Sequence, residues 1–149
     1  MREIINDLRP TVLDHGLAFA LREYIEDLRE KHPNINIIFN IQASAERIPE
    51  KMEEHIYYIV LEACQNALRH ANARTLELSG VIAPGQVNLS IQDDGDGFDS
   101  TGEINDLIAN RHFGLATMQE RAHLIGATIE LQSQLQAGTQ VKVIWIDKE

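Results

Sequence analysis

The chain reads as a two-layer α/β sandwich, in which a mixed and mostly antiparallel sheet carries about three helices on one face. Three observations predict this. Apolar residues recur at helical spacing in three separate stretches. Period-two stretches typical of half-buried strands lie between them, and the chain closes on a hairpin. With 149 residues there is room for one domain and a substantial core, and a hydrophobic fraction of 44% lies in the globular range.

Taken in order, residues 2–8 read as the end of a helix, halted at Pro10, which lacks an amide and restricts Arg9. A helix follows from about Leu17 to Lys31, with Leu17, Ala20, Leu21, Tyr24, Ile25 and Leu28 on one stripe, closed by His32, Pro33 and Asn34. Ile35, Ile37, Phe39 and Ile41 then alternate as in a strand. Pro49 opens a long helix to about Ala71, whose apolar stripe is Ile56, Ile59, Val60, Ala63 and Ala67. Thr75–Ile82 and Val87–Ile91 read as strands joined by a turn at Pro84 and Gly85. Asp93 to Phe113 is a glycine-punctuated acidic loop, with one turn of helix near Ile104–Ile108; a loop this long inside a small domain is usually functional. The last helix spans Leu115–Ile125 and is stopped by Gly126. Strands Thr128–Gln132 and Thr139–Ile146 flank a turn at Ala137 and Gly138.

Composition narrows the function classes. No apolar run approaches the roughly 20 residues of a membrane-spanning helix. The opening MREIINDLRP lacks the apolar block of a secretory signal, so a cytoplasmic setting is expected, without direct membrane contact from this segment. A net charge of −10, with 23 acidic against 13 basic residues and no Lys/Arg cluster, argues against a nucleic-acid partner. The same charge means that an anionic ligand would need a metal ion, backbone amides or a few placed cations to enter. Cys64, alone in its type, lies in an apolar helical stretch and reads as a small core residue rather than a catalytic thiol.

Four short segments carry the chemistry. Glu62, Asn66 and His70 stand four residues apart, along one edge of the long helix beside its apolar stripe. Glu and Asn oxygens suit Mg²⁺, and His70 or Arg69 could then meet a phosphate. Taken alone, a solvated helix edge explains this triplet better. In QDDGDGFD, Gly95 and Gly97 permit close backbone approach, and Asp93 is placed to accept from an exocyclic amino group such as that of adenine. A plain acidic turn is the alternative; a calcium loop lacks its closing bidentate Glu. In HFGLATMQERA, Gly114 starts a helix whose free amides can receive phosphate oxygens. In AGTQVKV, Thr139 could hydrogen-bond a base or a buried water near Asp93, or simply follow a hairpin turn.

The order and spacing of these segments resembles the histidine-kinase branch of the Bergerat-fold ATPases, the superfamily shared with DNA gyrase and heat-shock chaperone ATPases. EACQNALRHA is similar to the family's N box, DDGDGF to its first glycine box, FGLATMQERA to its second, and GTQVKVIW to its last strand. The resemblance covers nearly the whole chain from about residue 15 and is narrower still to the nitrate-sensor-like class. It implies a Bergerat fold and binding of ATP or ADP with Mg²⁺. It further implies that Asn66 holds the metal and that Glu62 helps position the metal or the transferred phosphoryl. Arg69 and His70 would lie by the phosphates. Asp93 would read the adenine amino group, with Gly95, Gly97 and Phe98 beside it and Thr139 supporting through water. Residues 98–113 would form an ATP lid hinged at Gly114 and Leu115.

By the same resemblance, residues 1–10 would be the tail of a dimerisation helix and linker, and 11–149 the catalytic domain. None of His15, His32, His55, His70, His112 and His123 has the placement of a phospho-accepting histidine. The expected acceptor is therefore on a dimerisation helix outside this chain, with a response regulator downstream. The parent would be a homodimer, membrane-anchored or not, and this segment by itself a monomer. Two rivals share the fold: an anti-sigma-type serine kinase, and a non-catalytic nucleotide-binding or interaction module. Against the first stands the junction around Leu8–Leu21, since that class begins directly with its sheet. Against the second stand the intact Glu62, Asn66, Asp93, Gly95 and Gly97.

Overall fold

The structure, a computed structural model, describes residues 10–70, 72–97 and 114–147. Its elements are α1 (Leu17–Lys31), β1 (Asn36–Ala43), α2 (Glu50–His70), β2 (Thr75–Ala83), β3 (Gln86–Asp93), α3 (Leu115–Ile125), β4 (Thr128–Ser133) and β5 (Thr139–Ile146), with a 3-10 turn at Thr11–His15 before them. The strands form one sheet in the order β1-β2-β3-β5-β4. β1 runs parallel to β2 and the other pairings are antiparallel. The expected sandwich of three helices and a mixed, mostly antiparallel sheet is thus the observed fold.

α2 makes the crossover between β1 and β2, because parallel neighbours cannot be joined by a tight turn. The stripe read on α2 is buried as expected: Ile56, Ile59, Val60, Ala63 and Ala67, with Cys64 beside them. On α1, Leu17, Ala20, Leu21, Ile25 and Leu28 are buried, while Tyr24 is only partly covered. From the sheet, Leu76, Leu78 and Ile82 of β2, Val87, Leu89 and Ile91 of β3, and Val141, Val143 and Trp145 of β5 complete the core. Strand ends differ slightly from the sequence reading. β1 extends to Ala43 because its backbone stays paired with β2 as far as Ile82, and β3 extends to Asp93 because it pairs with both Leu76 and Thr139. Gly80, unremarked in the sequence, sits mid-strand at φ +138°, where a Cβ would overlap the Asn88 carbonyl oxygen and lie 2.9 Å from Leu89 Cα.

The register places Leu76, Asp93, Thr139 and Ser133 in one row across β2, β3, β5 and β4, on the side-chain face shared with the core. That row ends the sheet, and the candidate site is built on it. The expected helix tail in residues 1–9, the expected lid at 98–113 with Phe98, and the helical turn near Ile104–Ile108 all lie outside the described residues.

Candidate nucleotide site

Two clusters gather the residues singled out in the sequence. The first lies on α2. Its helical spacing brings Glu62, Asn66 and Arg69 along one edge. Arg69 Nη2 reaches both Glu62 Oε2, at 3.5 Å, and Asn66 Oδ1, at 3.4 Å. One guanidinium nitrogen can bridge these two oxygens only if they converge on a common point, and that point accepts a cation. Arg69 itself stays about half exposed at 54%, and His70 is the last residue of the helix.

Gly114, the residue before α3, adopts φ +86° and lies against the Glu62 side chain. A Cβ there would overlap the carboxylate and come within 2.6 Å of Glu62 Cγ. Glycine suits this backbone conformation, and any side chain there would have to push the Glu62 carboxylate aside. α3 begins at Leu115, which is buried. Among the described residues, no side chain caps this helix end. Its leading amides and positive dipole end thus stand beside Glu62.

Asp93 anchors the second cluster. It is one of three buried polar or charged residues identified among the described residues, the others being Glu53 and Ser133, and it is only 7% exposed. Its Oδ1 accepts from the Gly95 amide at 2.8 Å, and the Thr139 amide also donates to the carboxylate. Burial nonetheless dominates and pushes its pKa above the ordinary aspartate value. A carboxylate held largely dry at the end of a strand is an acceptor that favours a hydrogen-bond donor.

Asp94, next in sequence, does something different. Its Oδ1 accepts from the Arg74 and Thr75 amides at 2.9 Å each, which lowers its pKa and ties the acidic loop to the start of β2. Asn72 adds a further tie through Nδ2 to Asp96 Oδ2 at 3.3 Å. On the other side the loop leans on the β4–β5 turn. Gly97, at φ +63°, has no room for a Cβ between the Gln134 and Gly138 carbonyl oxygens. The Gln136 amide donates to the Asp96 carbonyl. Gly138 is pressed against the Asp93 backbone. Ser133 Oγ donates to the Gly138 carbonyl at 3.0 Å and lies 2.8 Å from Thr139 Oγ1. Residues Ser133 and Thr139 also border an open cleft of about 510 Å³, whose other lining includes Gln92, Gln132 and Gln140, which strand alternation turns to the opposite face of the sheet from Asp93.

The structure thus brings Glu62, Asn66, Arg69 and Gly114 together, and separately Asp93, Gly95, Gly97 and Thr139. Phe98 lies outside the described residues. Sequence reasoning missed the roles of Ser133 and Asp94, and read the turn at Ala137 and Gly138 without its buttressing of the acidic loop. For Asp94 the signal was present in the Asp-Asp pair, since residues that alternate along a strand cannot both face the core. For Ser133 no local signal exists, because its meaning comes from the strand register.

Residues 51–149 match a family model described as histidine kinase-, DNA gyrase B-, and HSP90-like ATPase. Among curated relatives, the chain is 35% identical over 144 residues to the sensor histidine kinase LiaS of Bacillus subtilis, covering 96% of this chain and 38% of LiaS. It is 33% identical to the sensor protein VraS of Staphylococcus haemolyticus, covering 96% of this chain and 39% of VraS. It is 30% identical to a NarQ homologue of Haemophilus influenzae, covering 96% and 24%. The chain therefore spans well under half the length of each of these relatives. Among solved structures, the histidine kinase domain of a blue-light activated histidine kinase from Erythrobacter litoralis superposes with a TM-score of 0.69 at 22% identity, over 87% of this chain and 60% of that one. The ATP-binding domain of PrrB from Mycobacterium tuberculosis does so at 0.64 and 20% identity, over 84% and 89%. At such identities the structural likeness speaks for the fold.

Proposed function

The chain belongs to the histidine kinase-, DNA gyrase B-, and HSP90-like ATPase family, and on that premise we propose that it binds ATP with Mg²⁺ and transfers the γ-phosphoryl group to a histidine on a dimerisation helix outside this chain, within two-component signalling. The observation that carries the reading is the buried Asp93 carboxylate, in register with Thr139 at the end of the sheet. Burial costs this carboxylate more than the Gly95 and Thr139 amides return, which favours a ligand that brings a further donor.

Asp93 accepts from the adenine amino group, while Gly95 and Gly97 let the backbone follow the nucleotide closely. Glu62 and Asn66 fit a hard cation, since their oxygens already converge on Arg69. Among the described residues no group of three or more His, Cys, Asp or Glu side chains could cage a metal unaided, which suits an ion that arrives with phosphates and water. When bound, Mg²⁺ would neutralise the phosphate charge that an acidic chain otherwise repels. Arg69 and His70 would lie by the phosphates, and the amides opening α3 would receive phosphate oxygens. Gly114 and Leu115 hinge the lid at 98–113. Positioning and charge neutralisation are most of what phosphoryl transfer asks of a protein. In the transfer, the bond from the γ-phosphorus to the ADP oxygen breaks as a bond to the acceptor imidazole nitrogen forms. Residues 1–10 serve as the tail of the dimerisation helix and 11–149 as the catalytic domain of a dimeric parent that signals to a response regulator. Among the described residues no helix is long and apolar enough to cross a membrane, in keeping with a cytoplasmic catalytic domain.

Isothermal titration with Mg·ATP tests the binding step, and incubation with a separately expressed dimerisation helix tests the transfer. Binding, together with an acid-labile phosphoryl adduct on that helix, is expected. A wild-type chain that does not bind Mg·ATP would sink the reading.

A further inference from the structure

Ser133 has no role in the proposed function, yet its hydroxyl meets that of Thr139, the neighbour of the Asp93 carboxylate. Proton inventory decides what it does. A hydroxyl carries one proton and two acceptor lone pairs. Ser133 Oγ lies 3.0 Å from the Gly138 carbonyl oxygen, which can only accept, so the Ser133 proton is committed there. The 2.8 Å contact between Ser133 Oγ and Thr139 Oγ1 must then be donated by Thr139. Thr139 Oγ1 retains acceptance alone. Its neighbour across the ladder is Asp93, an acceptor-only group when ionised, whose Oδ1 is already turned toward the Gly95 amide.

We propose that Ser133 is a specificity-determining residue of the nucleotide site. By holding the Thr139 proton it leaves the base-reading row with acceptors only, and so selects a 6-aminopurine over a 6-oxopurine. The proposal rests on the assignment of this row to the base of a purine nucleotide. An exocyclic amino group donates to the two acceptors directly or through one water. A 6-oxo group would face them as a third acceptor, in a place dry enough for the mismatch to be felt. Ser133, at 7% exposure, keeps its own hydroxyl from solvent. Ser133 touches no nucleotide in this scheme; it acts through Thr139.

The test is the ratio of dissociation constants for Mg·ITP and Mg·ATP, measured by calorimetry on the whole chain, wild type against Ser133→Ala. Removing the serine frees the Thr139 hydroxyl to rotate and donate to a 6-oxo group. The preference for ATP should therefore fall about fivefold or more, the worth of about one hydrogen bond. Ser133→Thr, which keeps a hydroxyl, should restore the preference. In a Thr139→Val background, Ser133→Ala should change the ratio no further, which a purely structural role would not produce. Equal weakening of both nucleotides by Ser133→Ala, or an unchanged ratio with Thr139 intact, overturns the proposal alone. Failure of the wild-type chain to bind either nucleotide overturns the site assignment and the proposal with it.

Discussion

Gly138 and Gly126 form a matched pair for testing how the β4–β5 turn supports the site. Both hold positive φ, +85° and +71°, so an alanine at either position meets backbone strain of the same kind. That strain costs about 1–2 kcal/mol. At Gly126 nothing among the described residues lies within 4 Å of where a Cβ would be, so the strain is the whole effect. At Gly138 the Cβ would overlap the Asp93 carbonyl oxygen and lie 3.0 Å from its carbonyl carbon and 3.1 Å from Asp94 Cα. These are backbone atoms and cannot swing aside as a side chain would. Overpacking of this kind adds about 1–3 kcal/mol. Gly126→Ala should therefore destabilise by about 1–2 kcal/mol and Gly138→Ala by about 2–5 kcal/mol. At about 2–4 °C per kcal/mol for a domain of this size, the extra overpacking should lower the second melting temperature by about 2–12 °C more than the first. The Gly138 variant also displaces the residue that carries the buried carboxylate, so its affinity for Mg·ATP should fall about tenfold or more. Affinity in Gly126→Ala should stay within about twofold of wild type. Circular dichroism melts and calorimetric titration measure both effects. Equal melting shifts, or undiminished ATP affinity in Gly138→Ala, would refute the reasoning.

Three other outcomes are expected. Burial raises the Asp93 pKa, so its charged form is penalised in the fold at neutral pH and the penalty is relieved as pH falls through the raised value. Wild type should gain stability relative to Asp93→Asn on that descent while losing ATP affinity, and a difference independent of pH would contradict the assignment. Arg47 grips buried Glu53 through Nε at 3.2 Å and Nη2 at 2.6 Å, and also donates to the Leu13 and Asp14 carbonyls. The Arg47 side chain is 42% exposed, so Arg47→Leu should cost less than loss of a fully buried pair, about 2–3 kcal/mol in urea denaturation; a change below about 0.5 kcal/mol would contradict it. Cys64 is fully buried and its thiol is pushed up to about 12 by desolvation. Thiol reagents should label it only at the rate of unfolding, and prompt stoichiometric labelling of the native chain would refute that placement.

Much of this fold was legible along the chain because its signals are local. The stripes of α1 and α2 are buried where their 3.6-residue period puts them, and Gly126 ends α3 in the left-handed conformation a stop requires. Glu62, Asn66 and Arg69 could be grouped beforehand because a helix turns fixed sequence spacing into spatial proximity. Gly97 of the acidic loop could likewise be marked, since its positive φ and close approach exclude other residues.

Strand register carried what local pattern did not. Sequence placed Asp93 at a strand end, but only the pairing with Leu76 and Thr139 put its carboxylate on the core face, while Asp94 turned to the Arg74 and Thr75 amides. Gly80 read as an ordinary strand residue until β3 came close enough to leave no space for a Cβ. Ser133 lies 40 residues from Asp93 in the chain, and no periodicity relates them. A sheet joins distant segments through backbone pairing that is nearly indifferent to side-chain identity. The chain alone therefore determined which elements form and marked the residues proposed to carry the chemistry; the tertiary structure alone decided which of them meet, and on which face.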